Sequence, residues 1–164
     1  MISLFHGTTM EVSEPLVGVG RKKVDFGRGF YLTKMKRQAS LWAETIAERR
    51  MTATPVLNEY RFDIDLAKEL AGGRYKVFAA YDLEWLNYVV DCRRGGKQQK
   101  QYDVVEGGVA NDKVIDTVED YENGRITAEQ ALDQLRYMKP NNQICFRSQD
   151  AINYLLTFIG SEVL

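Results

Sequence analysis

A short apolar run, Ile2-Ser3-Leu4-Phe5, leads into His6-Gly7-Thr8-Thr9 and predicts an opening strand that stops at the glycine. Residues 11–29 carry no sustained period and are punctuated by Pro15, Gly18, Gly20, Gly27 and Gly29, which predicts a loop region with one short helix at 13–17. Phe30-Tyr31-Leu32-Thr33 is a brief β-prone run just after two glycines. From about Lys36 to Met51 the residues favour helix. Ala39, Trp42, Ala43, Ile46 and Ala47 recur at i, i+3, i+4 spacing and predict an inward stripe, with Arg37, Glu44, Glu48 and Arg49 facing away. A strand is predicted from Val56 to Ile64.

Gly72-Gly73 marks a break. Asp82 is placed to cap a helix that carries Leu83, Leu86, Tyr88, Val89 and Val90. A polar loop at 94–100 precedes a strand from Tyr102 to Glu106 that ends at Gly107-Gly108, and a helix over 110–121 ends near Asn123-Gly124. Thr127-Ala128-Glu129-Gln130 has the form of a capping box and opens a helix with Ala131, Leu132, Leu135 and Met138, stopped before Pro140. Gln143 to Phe146 is a short strand, Ser148 an N-cap, and 151–159 a last helix. Scattered strands and helices, without alternating βαβ units, predict an α+β fold in one domain over residues 1–164.

The composition belongs to an ordinary globular chain, 45% hydrophobic and 27% charged. A net charge of -1 gives the whole molecule no pull on nucleic acid, although Arg21-Lys22-Lys23, residues 34–37, Arg49-Arg50 and residues 93–100 are basic islands, either solvated surface or a binding patch. Two cysteines make neither a disulfide framework nor a metal-ligand pattern, so no metal is expected, and Cys145 falls in an apolar run as a core residue. Neither a signal peptide nor a membrane span is visible, which sets a cytoplasmic expectation.

Three segments carry candidate chemistry. His6 is the only histidine and stands at a strand end beside a glycine that permits close backbone approach to a ligand. Phe26-Gly27-Arg28-Gly29-Phe30-Tyr31-Leu32-Thr33 bends tightly and then offers an aromatic pair, but it lacks the third glycine of a dinucleotide fingerprint. Asn141-Asn142-Gln143 puts polar amides at the mouth of an apolar strand, which by itself is also an ordinary turn.

In this order the three segments resemble the ADP-ribosyltransferase superfamily, in its His-Tyr-Glu branch that includes the diphtheria-toxin-like enzymes and the poly(ADP-ribose) polymerases. Within it the chain looks closest to small bacterial members thought to act as intracellular toxins beside an antitoxin partner. About 45 residues in three blocks carry the likeness, most specifically Gly27 to Trp42. The resemblance implies a split-sheet, sandwich-like core with flanking helices, and NAD as substrate. It implies that His6 binds a ribose 2′-hydroxyl and Gly7 gives its backbone amide and carbonyl to the nicotinamide carboxamide. Thr8 would support ribose and phosphates, and Tyr31 would stack on nicotinamide with Trp42 opposite. Trp42 as plain core packing stays open beside this.

Gln143 falls where the branch has its catalytic glutamate. The transition state is oxocarbenium-like, and glutamine keeps the acceptor oxygen without the charge. Glu106, Asp112 and Asp103 are candidates to supply that charge, Asp112 ahead of Glu106, although an acid at a helix start also simply complements the dipole. Arg28 is placed either to reach a pyrophosphate or as an exposed loop arginine. The expected function is mono-ADP-ribosyl transfer from NAD to a protein or nucleic acid. An NAD glycohydrolase, a non-catalytic NAD or partner binder, and an RNA-acting relative such as the RNA 2′-phosphotransferases are the alternatives.

Overall fold

The computed structural model describes residues 1–51, 53–70 and 74–164. Among the described residues seven strands form two sheets. One contains β1 (Ile2–Thr8), β3 (Val56–Phe62) and β7 (Leu156–Val163) in the order β1-β3-β7, antiparallel throughout. The other contains β2 (Phe30–Leu32), β4 (Tyr75–Val77), β5 (Val104–Gly108) and β6 (Asn142–Phe146) in the order β2-β6-β5-β4, with β4 and β5 parallel. Six α-helices are described: α1 (Lys36–Arg49), α2 (Ile64–Leu70), α3 (Leu83–Arg94), α4 (Asp112–Glu122), α5 (Ala128–Leu135) and α6 (Gln149–Leu155). The fold is α+β, as expected.

Among the described residues the two sheets meet at a single bridge. Phe5 and Thr33 exchange both backbone hydrogen bonds, at 2.8 and 3.0 Å. An apolar layer of Leu4, Phe30, Leu32, Tyr60, Phe62 and Ile144 runs beneath both sheets and is closed by α2 and α6. The opposite face of the second sheet packs Val105 and Cys145 against Phe26 and the inner residues of α3, α4 and α5. Strand alternation sorts the two faces, because residues two apart share a side.

Several local signals hold. Asp82 accepts the Trp85 N–H at 2.8 Å, and the Thr127–Gln130 capping box forms in both directions. Three elements went unread: α2, β4 and β7. The helix predicted over 151–159 ends at Leu155, and Leu156 is already extended. From there Leu156 and Phe158 turn inward while Thr157 and Ile159 turn out, and the segment pairs with β3 along its whole length. A short, partly apolar segment fits a helix tail as well as a strand, and tertiary pairing with β3 decides for the strand. The short helix expected at 13–17 is a 3-10 turn at Val17–Val19. The predicted break at Gly72-Gly73 lies outside the described residues.

Candidate functional site

His6 lies on β1 just past the bridge. Its Nδ1 is 2.8 Å from the Tyr31 carbonyl. A carbonyl only accepts, so Nδ1 carries the proton and Nε2 is left as an acceptor. Burial pulls the imidazole pKa below 6.5, against the opposing pull of that hydrogen bond, and the ring is neutral at pH 7. It packs on Phe30 with ring centres 4.5 Å apart.

This bond marks where the two sheets part. Because Phe5 bonds Thr33, just past β2, alternation turns the peptide groups of Gly7 to the same side, away from β3. The position across from Gly7 belongs to Tyr31, whose carbonyl is taken by the imidazole instead. The Gly7 N–H and C=O therefore face the split. Glycine is required here by α1, since a Cβ on Gly7 would sit 1.9 Å from the Ala39 carbonyl oxygen. Thr8 ends β1, half-buried and opposite Val56. The loop beyond it is held by Asn58, fully buried, which accepts the Val12 N–H at 2.8 Å and donates to the Met10 carbonyl at 3.1 Å.

Tyr31 is locked. Its hydroxyl donates to the Gly27 carbonyl at 2.7 Å and accepts the Phe26 N–H at 3.1 Å, and its ring lies within 8° of parallel to Phe26. Burial drives the phenol pKa well upward, so the group stays protonated and clamps the double-glycine bend.

Trp42 corrects an expectation. The inward stripe of α1 is Ala39, Ala43 and Ala47; Trp42 is 45% exposed beneath the Arg49 guanidinium, 5.8 Å from its ring centre. The close approach of α1 to Gly7 admits only small residues, so the indole is displaced to the flank. Among the described residues Tyr31 and Trp42 form no ring pair; Tyr31 pairs with Phe26.

Gln143 opposes Gly107 on β6 and shares the Tyr31 face, because Tyr31 opposes Cys145. Its amide is half-buried and makes no hydrogen bond among the described residues. Nearby, Thr33 Oγ1 donates to Gln38 Oε1 at 2.6 Å, and Gln38 Nε2 donates to Asn141 Oδ1 at 2.7 Å. This strap ties α1 to the mouth of β6 with neutral groups. Glu106, expected as a source of charge, faces the other side in register with Ile144. It is consumed by Lys34 Nζ at 2.5 Å and the Tyr75 hydroxyl at 2.6 Å. Asp103 is forked by Arg74 at 2.6 and 2.9 Å, which holds its carboxyl below the usual range. Asp112 is exposed at the start of α4 with φ +42°, three residues after Val109, whose N–H bonds the Asn141 carbonyl.

Sequence reasoning missed Asn58, Gln38 and Asp25. Asp25 is buried and accepts the Ala110 N–H at 2.7 Å and Arg93 Nη1 at 3.0 Å, so it ties the bend to the β5–α4 junction. Arg28 is half-buried; its Nε has no hydrogen-bond partner among the described residues, and its carbonyl accepts from Arg147 Nε at 3.3 Å. A cavity of about 450 Å³ lies apart from these residues, between residues 13–16 and α6, and one of about 150 Å³ lies beside Arg74 and Asp103. Among the described residues no cluster of His, Cys, Asp and Glu is arranged to hold a metal, and no helix is long and apolar enough to cross a membrane.

No curated protein and no solved structure matches the chain. One family model does, over residues 2–158, and by that match the chain belongs to DUF3990, a family of proteins of unknown function.

Proposed function

We propose that the chain is an NAD-dependent mono-ADP-ribosyltransferase acting on a macromolecule, with the core of the ADP-ribosyltransferase superfamily and the biology of an intracellular bacterial toxin held by an antitoxin. The observation that carries this reading is the parting of the sheets at Phe5–Thr33. There a neutral His6 offers Nε2 as an acceptor beside the unpaired peptide edge of Gly7. An amide edge of this kind matches the donor and acceptor of a carboxamide, and an imidazole acceptor matches a ribose hydroxyl. Trp42, on the flank of α1 with the Arg49 guanidinium over its ring, is left out of this pocket.

In the reaction the bond between ribose C1′ and the nicotinamide nitrogen breaks, and nicotinamide leaves with the bonding pair. The acceptor nucleophile bonds to C1′ and gives up its proton. Gln143 orients the 2′-hydroxyl through its amide oxygen, without the charge that a carboxylate brings to the developing cation. A lost electrostatic group of this kind costs about 3–4 kcal/mol, or about 100- to 1,000-fold in rate. Slow transfer is therefore expected, sped by Gln143→Glu.

The neutral surroundings of Gln143 favour one second reading, a binder that holds NAD without cleaving it. Incubation of the purified chain with adenylate-labelled NAD and cell lysate tests both. Transfer predicts free nicotinamide and label on a macromolecule, both lost in His6→Ala. Nicotinamide release with the label on free ADP-ribose and none on a macromolecule marks an NAD glycohydrolase. Binding by calorimetry with no release marks the binder, and no binding at all refutes the NAD reading.

A further inference from the structure

Away from Gln143, at the opposite end of β6, two guanidinium groups are half-buried and make no salt bridge among the described residues, although Asp103 lies near enough to feel Arg147. Arg147 follows Phe146 directly and Arg28 lies in the double-glycine bend; the backbone at Phe30 and Phe146 is paired, so the two residues leave the sheet side by side. Arg28 Nε and Arg147 Nη1 are both buried with no hydrogen-bond partner. Among the described residues neither side chain makes an ion pair. Each side chain has one nitrogen out of reach of water and unpaired, and the nearby carboxylate of Asp103 is already forked by Arg74, so an anion would complete the arrangement favourably.

The neighbouring carboxylates are already engaged. Asp103 is forked by Arg74, Asp25 is held by Arg93 and the Ala110 N–H, and Asp91 accepts the Gln98 N–H at 2.8 Å. The loop at 97–100 packs directly on the bend, because a Cβ on Gly27 would meet Gln99 Oε1 at 2.4 Å and Arg147 Cζ at 3.4 Å. That loop adds Lys97 and Lys100, and residues 21–23 add Arg-Lys-Lys, all exposed and without ion pairs among the described residues. Arg93 and Arg94, by contrast, are spent on Glu119 and Glu122.

We infer that Arg28 and Arg147 bind one phosphate of a nucleic-acid strand, and that the exposed cations of residues 21–23 and 97–100 carry the strand's flanking phosphates. A planar guanidinium fork fits a phosphodiester, and a pair of forks at one point within a wider basic rim fits a polymer of phosphates. The site would present the acceptor for the transfer proposed above. It rests on that reading for its purpose, but its binding needs no NAD.

Fluorescence anisotropy of the full chain with a labelled single-stranded RNA of about 20 nucleotides, and with the matching DNA, tests it. Four phosphate contacts predict a logarithmic salt slope near -3, so affinity falls about 50-fold between about 50 and 200 mM salt. Arg28→Gln with Arg147→Gln should weaken binding about tenfold or more and make the slope shallower by about 0.7, the share of one phosphate. Lys97→Gln with Lys100→Gln, at exposed positions that cannot unfold the chain, should also make it shallower. No binding at low salt, or slopes unchanged in the lysine variant, overturns the site. So does calorimetry in which pyrophosphate or NAD binds the arginine pair and the oligonucleotides do not. Nicotinamide release is followed in parallel on the unaltered chain. Strand binding without release leaves this site standing and removes the transferase, whereas release without strand binding removes this site alone.

Discussion

Replacing Gly7 with alanine puts a single methyl group where α1 crosses β1. The added carbon would lie 1.9 Å from the Ala39 carbonyl oxygen, 2.9 Å from its carbonyl carbon and 3.0 Å from the Ala43 nitrogen, all backbone atoms. Ordinary contact begins at 3.4 Å, so the helix must withdraw by about 1.5 Å (3.4 less 1.9). No rotamer change relieves a clash with backbone. Overpacking costs about 1–3 kcal/mol, and this case belongs at the upper end. For a chain of this size each kcal/mol lowers Tm by about 2–4 °C, so a fall of about 6–12 °C is expected by calorimetry or circular dichroism. Gly18→Ala is the comparison, because a Cβ there meets nothing within 4 Å and its Tm should move by no more than about 2 °C. A Gly7→Ala chain that melts with the unaltered protein would refute the packing of α1 on β1. It would also refute the view that the glycine shapes the edge of the split.

Three further outcomes follow from the same geometry. His6 has its pKa lowered in the fold, so below pH 6.5 the unfolded chain binds a proton that the folded chain refuses, and stability falls as pH drops through that value. Melting curves between pH 7.5 and 5.5 should show this loss and should show it reduced in His6→Gln; identical pH profiles would count against a buried neutral imidazole. Tyr31→Phe removes the bond to the Gly27 carbonyl and leaves the Phe26 N–H unmet, for a loss of about 1–3 kcal/mol in urea unfolding. Thr127→Ala breaks the capping box of α5 and should cost about 1 kcal/mol in the same assay without touching NAD turnover.

Much of the frame was readable because it is written locally. Asp82, Thr127 and Ser148 each declare a helix start by side-chain chemistry that acts within three residues, and each cap forms. Failures lie where distant partners decide. β7 exists because β3 offers a full edge to residues 156–163, and β4 has only three residues, paired in parallel with β5. At the candidate site, His6, Tyr31 and Gln143 were picked out by residue type and order, and they do fall on neighbouring strands β1, β2 and β6. What each does there was not readable. The size of an indole says nothing of how near a helix approaches a glycine, so Trp42 was placed inside. Glu106 and Asp103 gave no sign that Lys34, Tyr75 and Arg74 would claim them. Asn58 looks like a solvent-facing residue in β3 until the loop after β1 folds over it.

The lone rung between the sheets has a mechanical consequence. Past Phe5 and Thr33, among the described residues, the only polar tie across the seam that involves His6 or Tyr31 is the imidazole–carbonyl contact, while the greasy floor below spans both halves and resists sliding. A guest that offers the imidazole a different companion can wedge the seam wider without unthreading a ladder in either sheet. His6 is thus the latch of a door hinged at one pin.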